Sequence, residues 1–415
     1  MKLFTLLSAV IFVTALQAQT EVTIPTGPGN TTQAYYSLAN DVQGTVALGD
    51  WDLAFEISGF TSTVQVNTMK GLTAFETPEG IADWNAVNAP DEMNWISLNN
   101  SETYWSAGAL SNGNNLSEPD GFNVGWGTYN LITHTIAGTK VYVIGFPDAT
   151  FRKLRINSLA GGAYSFTHAA LDGTDEQTVS LMKAVHAGKN FGYYSFVGGV
   201  LDLEPPTASW DLLFTKYTAI IPAPAPTAYG VAGVLQNKGV DALQVDGVDP
   251  ASADWTSGPL DSAMNVIGYD WKSFNMETSM YEYPTDRTYF VQDRAGNIWK
   301  LIFTAYGGGS NGNMTFTQDM VSAVGVEENY GTRDLVVYPN PTNTGSISII
   351  LDRTVRNGQL SILDLTGKLV STANVTGGMG LVAWPVDVSG LSDGTYVMKL
   401  DAEGSAFTTR FVVGL

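Results

Sequence analysis

Tyr35-Tyr36-Ser37-Leu38, followed by Trp51-Asp52-Leu53-Ala54-Phe55, decides the fold because the chain uses the pair twice. Tyr193-Tyr194-Ser195-Phe196 precedes Trp210-Asp211-Leu212-Leu213-Phe214, and the tyrosine-to-tryptophan spacings are 16 and 17 residues. Trp51, Leu53 and Phe55 share one face at period two while Asp52 points the other way, which is the pattern of a strand. Working outward, Trp126-Gly127-Thr128-Tyr129-Asn130 matches Trp271-Lys272-Ser273-Phe274-Asn275. Phe151-Arg152-Lys153-Leu154-Arg155-Ile156 matches Ile298-Trp299-Lys300-Leu301-Ile302-Phe303, and Tyr164-Ser165-Phe166-Thr167 matches Met314-Thr315-Phe316-Thr317. Matches that keep their order over about 130 residues read as two tandem copies of one domain, at 19–188 and 189–325. Gly161-Gly162 and Gly307-Gly308-Gly309 mark turns before the last strand of each copy. Helical spacing is confined to short pieces such as Asp175 to His186, where Val179, Met182 and His186 recur three or four residues apart.

The composition agrees with a mainly β chain. Charged residues are 14% of the total, against roughly 25% in soluble domains, while aromatics reach 11% and glycines number 44. A net charge of −20 sets the surface against nucleic acid and anionic lipid headgroups. With no cysteine the chain has no disulfides, thiolate metal sites, cysteine nucleophiles or lipid-modified N-terminal cysteine.

Both ends carry sorting signals. Lys2, the apolar run Leu3 to Leu16 and Gln17-Ala18-Gln19 read as a signal peptide over 1–18, too short to span a bilayer, and no other run suggests a membrane span. After a polar linker at 326–334 come Leu335-Val336-Val337-Tyr338 and Pro339-Asn340-Pro341. Further on stand Leu365-Thr366-Gly367-Lys368 and Gly390-Leu391-Ser392-Asp393-Gly394-Thr395-Tyr396. Short alternating strands with frequent turns predict a small immunoglobulin-like antiparallel β-sandwich over 335–415. These motifs resemble the type A C-terminal sorting domain of the type IX secretion system. The resemblance implies handling by that machinery and a secreted or cell-surface location.

Only three histidines are present, His134, His168 and His186, and neither His-Glu-x-x-His nor Gly-x-Ser-x-Gly occurs. No acidic pair stands out for a glycosidase. Asp52 and Asp211 recur after core tryptophans and read as exposed or turn-capping carboxylates. The expectation is a non-catalytic protein. His134 lies in Trp126-Gly127-Thr128-Tyr129-Asn130-Leu131-Ile132-Thr133-His134, at the end of a hairpin. This segment, Lys153-Leu154-Arg155-Ile156 and the Tyr-Tyr-Ser and Trp-Asp-Leu motifs resemble the HmuY family of haem-binding proteins. The resemblance implies haem, or a related tetrapyrrole, as cofactor, with His134 as axial ligand, and an outer-membrane haem receptor as a partner. His168, on the same strand face as Tyr164 and Phe166, is the candidate second ligand, with Met182 as a thioether alternative. His186 reads as structural. The second copy has Ser279 and Gln318 in place of the two histidines, with Met276 and Met280 nearby, and is not expected to bind haem by that route.

Lys140, Arg152, Lys153 and Arg155 form a basic island suited to propionates. Two other readings stay open. One is a surface interaction or adhesion module that has lost haem binding. The other is a secreted carbohydrate binder or carbohydrate-active enzyme, with Trp84, Trp95, Trp105 and Trp126 as an aromatic platform.

Overall fold

A computed structural model describes residues 20–58, 62–111, 123–222, 224–322, 335–352, 355, 357–365, 367–376, 381–402 and 405–414. The signal peptide and the linker at 326–334 lie outside the described residues. The chain is mainly β, in antiparallel sheets. The largest sheet runs Gln177–Met182, Ala163–Ala170, Phe151–Ala160, Lys140–Gly145, Thr73–Gly80, Ile96–Leu98, and the hairpin of Gly127–Asn130 and Thr135–Gly138 adds to Phe151–Ala160. Its counterpart runs Thr20–Ile24, Met314–Ser322, Ile298–Tyr306, Thr288–Gln292, Asp241–Val245. Period-two alternation builds the cores. Leu53, Phe55, Tyr164, Phe166 and Trp126 fill the first, and Tyr36, Leu212, Phe214, Trp271 and Phe316 the second. Each such aromatic contributes roughly 1.5–3 kcal/mol by leaving water.

These cores are assembled differently from the stretches 19–188 and 189–325. Apart from Ile350, every buried residue of the first core lies between Leu53 and Tyr194. The second core combines Leu212 to Phe316 with Ile24, Ala34, Tyr36 and Leu38 from the start of the chain. Strand pairing states the same rule. Phe191–Ser195 pairs with Leu53–Glu56, placing Tyr194 opposite Leu53. Thr32–Ser37 pairs with Leu212–Ile221, placing Tyr36 opposite Leu212. The N-terminal strands therefore close the second unit, while the second Tyr-Tyr-Ser segment closes the first.

Several contacts of the first core have a counterpart in the second. Phe55 stacks on Phe166 at 4.7 Å, and Phe214 on Phe316 at 5.6 Å. Asp52 accepts from the Phe196 N–H at 2.7 Å, and Asp211 from the Leu38 N–H at 2.8 Å. Asn67 and Asn237 each donate to two backbone carbonyls before the strand, including those of Trp51 and Trp210. The aspartates are thus turn-capping, as the sequence suggests, but buried rather than exposed. Asp52 also pairs with Lys70 at 2.6 Å.

The segment with helical spacing is extended. Gln177–Met182 is a strand against Ala163–Ala170, followed by a 3-10 turn at Lys183–His186. Its residues Thr178 and Val179 are β-branched, and an open sheet edge outweighs a weak three-to-four periodicity. The tail is a sandwich. Leu335–Tyr338, Ser346–Asp352 and Leu381–Asp387 face a four-stranded sheet of Leu369–Thr376, Asn357–Asp364, Gly394–Ala402 and Ser405–Val413, with its own core. Val336, Ile350 and Ala383, side by side in register, pack on the first core.

Candidate functional site

The hairpin of Gly127–Asn130 and Thr135–Gly138 turns through Leu131 to His134. Asn130 shapes the turn. Its Oδ1 accepts from the N–H groups of Ile132 at 2.8 Å and Thr133 at 3.0 Å, and its carbonyl accepts from the His134 N–H at 2.9 Å. His134 closes the turn in the left-handed region, at φ 54°. Its ring is half-buried, with Nδ1 2.9 Å from the hydroxyl of buried Tyr129. Burial pushes the Tyr129 phenol up to about 12, so it stays protonated. In the tautomer whose Nδ1–H donates to that oxygen, the Nε2 lone pair is left for a ligand. Metal-bound imidazoles characteristically have their other nitrogen held in this way, so His134 is the described histidine whose surroundings would suit holding a metal through Nε2.

The same turn occurs in the second unit without the imidazole. Asn275 Oδ1 accepts from Glu277 and Thr278, and Ser279 takes φ 54°. Exposed Phe274, Met276 and Met280 surround it.

His168 is not available as a second ligand. Its side chain is fully buried, with Nε2 2.6 Å from the Tyr194 hydroxyl. Arg152 Nε donates to its Nδ1 at 3.2 Å, and Nη2 lies 3.0 Å from the same atom. An acceptor at Nδ1 places the ring proton on Nε2, so neither nitrogen has a lone pair for iron. Burial, then the Arg152 charge, lower its pKa to about 4. Register separates it from His134 as well. Leu154 lies opposite His168, while Leu159 lies opposite Ile136 beside the hairpin turn. Five residues at roughly 3.3 Å each put about 17 Å between those positions along the strand. In the second unit Gln318 takes the His168 role, accepting from Tyr36 at 2.9 Å. This position holds a tyrosine hydroxyl in both units.

His186 is structural. It is buried and its Nδ1 is 3.1 Å from Asp202, which also pairs with Lys189 at 2.6 Å. The basic island is committed to internal contacts. Lys140 pairs with Glu76 at 2.9 Å, and Arg152 with Asp175 at 2.8 Å. Buried Lys153 donates to the carbonyls of Trp84 and Val87, and Arg155 lies over the Trp84 ring at 4.7 Å. Nor do the four tryptophans form a flat surface platform, because Trp84, Trp95 and Trp126 are core residues. Among the described residues no group of three or more His, Asp or Glu is arranged to hold a metal ion.

Sequence reasoning missed Tyr129 as the group that orients His134, although Tyr129 and His134 flank the turn-forming Asn130. It also missed the apolar character of this end of the sheet, where Leu131, Ile132, Met182 and Val185 are exposed. Met182 sits opposite Ala163, and Ala163 opposite Ala160, at the same end as the His134 turn.

A model of a secretion system C-terminal sorting domain matches residues 336–414, so the chain is exported to the cell surface or released beyond it. No helix among the described residues is long and apolar enough to cross a membrane. No curated protein matches the chain. Among solved structures, a "putative lipoprotein" from Bacteroides fragilis is 14% identical, with 40% of this chain and 92% of that one covered. Its TM-score of 0.19 is too low to carry any argument. The model of the HmuY protein matches residues 29–317, well over half of the chain, which therefore belongs to the HmuY family.

Proposed function

We propose that this protein is a non-catalytic, surface-displayed haem binder serving haem and iron acquisition, built from two tandem copies of one unit of which the first holds the ligand. The observation that carries the reading is the His134 side chain, raised on a left-handed turn with Nδ1 2.9 Å from the Tyr129 hydroxyl, an arrangement that would leave Nε2 for iron. Bound ferric haem would supply a Lewis-acidic iron, and His134 would hold it through a ring nitrogen. Exposed Leu131 and Ile132 offer apolar surface to the macrocycle. An outer-membrane haem receptor fits as the partner that takes the ligand onward.

Met182, the thioether alternative, stands at the same sheet end as His134 but on the other face of the sheet: it alternates with core-facing Leu181, while His134 lies on the side of core residues Tyr129 and Ile136. Its strand lies three strands from Thr135–Gly138 at the same sheet end, about 14 Å at roughly 4.8 Å per strand. Haemin titrated into the full-length protein is expected to give a saturable Soret shift. His134→Ala should weaken binding at least tenfold. A shift that is absent, or identical in His134→Ala, defeats the proposal.

A further inference from the structure

The sorting sandwich has two outer faces, and the chain covers one of them itself. In its three-stranded sheet Leu335, Val337, Ile349 and Leu351 point into the sandwich core, so strand alternation turns Val336 and Ile350 outward. Ile350 is nevertheless only 1% exposed, because it belongs to the first core, with Val336 and Ala383 packed at the margin. No partner reads that face while the tail is docked there.

The outer face of the four-stranded sheet has no such cover among the described residues. Leu360, Ile362, Met398 and Leu400 point into the sandwich core, which turns Leu363 and Val397 outward. Leu363 lies opposite Val397 on one side and Leu369 on the other, where a register shift brings Val370 in as the extra residue of a bulge. The row crosses three strands, about 10 Å at roughly 4.8 Å per strand. The turn before Leu369 adds Leu365. Leu365, Leu369 and Val370 are 67%, 53% and 44% exposed. Single exposed apolar residues are ordinary on a protein surface. A row of them continued by the adjoining turn is a patch, and such patches mark interaction sites.

The edge of the patch is basic. Exposed Arg410 lies opposite Val397, and exposed Lys368 closes the turn before Leu369. The next cation along the face, Lys399, is paired with Asp401 at 2.9 Å. Residues 335–415 carry five Lys and Arg against six Asp and Glu, while the whole chain stands at −20. The tail thus escapes the acidic balance of the two units, and a partner with carboxylates around an apolar groove approaches it without repulsion. A sorting domain acts by being bound by an export protein, and this patch is the apolar face of the tail left open to one. We propose that the export machinery grips the tail here, with Leu363, Leu365, Leu369 and Val397 entering an apolar groove rimmed by carboxylates. The proposal rests on the sorting role of residues 336–414 and is independent of haem.

The fraction of full-length protein found outside a bacterium with a type IX secretion system tests this. Removal of residues 335–415 should block export; if export persists, the sorting role fails and the proposal with it. Leu365→Ser combined with Leu369→Ser should cut export at least tenfold, while the purified protein keeps its urea midpoint. Val197→Ser, at an exposed valine of the first unit, should leave export unchanged; a loss of the same size there would overturn the proposal. Arg410→Glu should cut export at least threefold and stands in if the double variant fails to fold. Export unchanged in these tail variants, with the deletion blocking it, overturns the proposal and leaves the sorting role intact. A full-length dimer that the double variant dissociates would put a second copy on the patch and overturn it as well.

Discussion

Two histidines of similar sequence appeal have opposite fates. His134 follows an asparagine that wraps the turn, so its ring stands at a tip. His168 follows Tyr164 and Phe166 at period two, and all three are fully buried. That alternation was visible in the sequence, where it was read as aiming His168 at a ligand; the Tyr194 and Arg152 partners, distant in the chain, were not visible. His168→Ala would strand the Tyr194 hydroxyl and the Arg152 guanidinium. It should cost about 1–3 kcal/mol in urea denaturation without abolishing the haemin shift. His168→Gln, copying Gln318, should cost less. The pH dependence follows from the lowered pKa. Below about 6.5 the unfolded histidine takes up a proton that the folded one refuses until about pH 4. Its neutral burial therefore carries no penalty above pH 6.5, and stability falls as pH drops from 6.5 to 4. The stability difference between wild type and His168→Gln, measured across that window, should shrink or reverse toward acid. A constant difference would contradict the buried neutral imidazole.

At the scale of the element, strand character was legible from period-two runs such as Trp51, Leu53 and Phe55. Which copy each strand completes was not, because equivalent strands carry equivalent residues and pair with either copy equally well on paper. The chain order decides it. Phe191–Ser195 finishes the unit just built, and Thr32–Ser37 waits for Leu212–Ile221. The fragment 49–203 is accordingly expected to unfold cooperatively, whereas 19–188, which lacks Phe191–Ser195, should not; calorimetry of the two separates the outcomes. The capping aspartates belong to the same joints. Asp52→Ala removes the acceptor for Phe196 and the partner of Lys70. Because Lys70 is partly exposed, a loss of about 2 kcal/mol is expected in urea denaturation, with Asp211→Ala of similar size.

For the whole molecule, composition and terminal motifs already placed the chain outside the cell, and the sorting domain agrees. The absence of histidine from the second unit predicted an asymmetric pair, and its equivalent turn does carry Ser279. The basic island misled because net charge along a sequence does not show that Lys140, Arg152 and Lys153 are engaged internally. The account rests on a bond between His134 Nε2 and iron. Pulsed electron–nuclear resonance of ferric haem bound to protein labelled with ¹⁵N-histidine reads that bond directly. It should show ¹⁵N coupling from one histidine, lost in His134→Ala. No ¹⁵N coupling, or a coupling that survives the substitution, would contradict it.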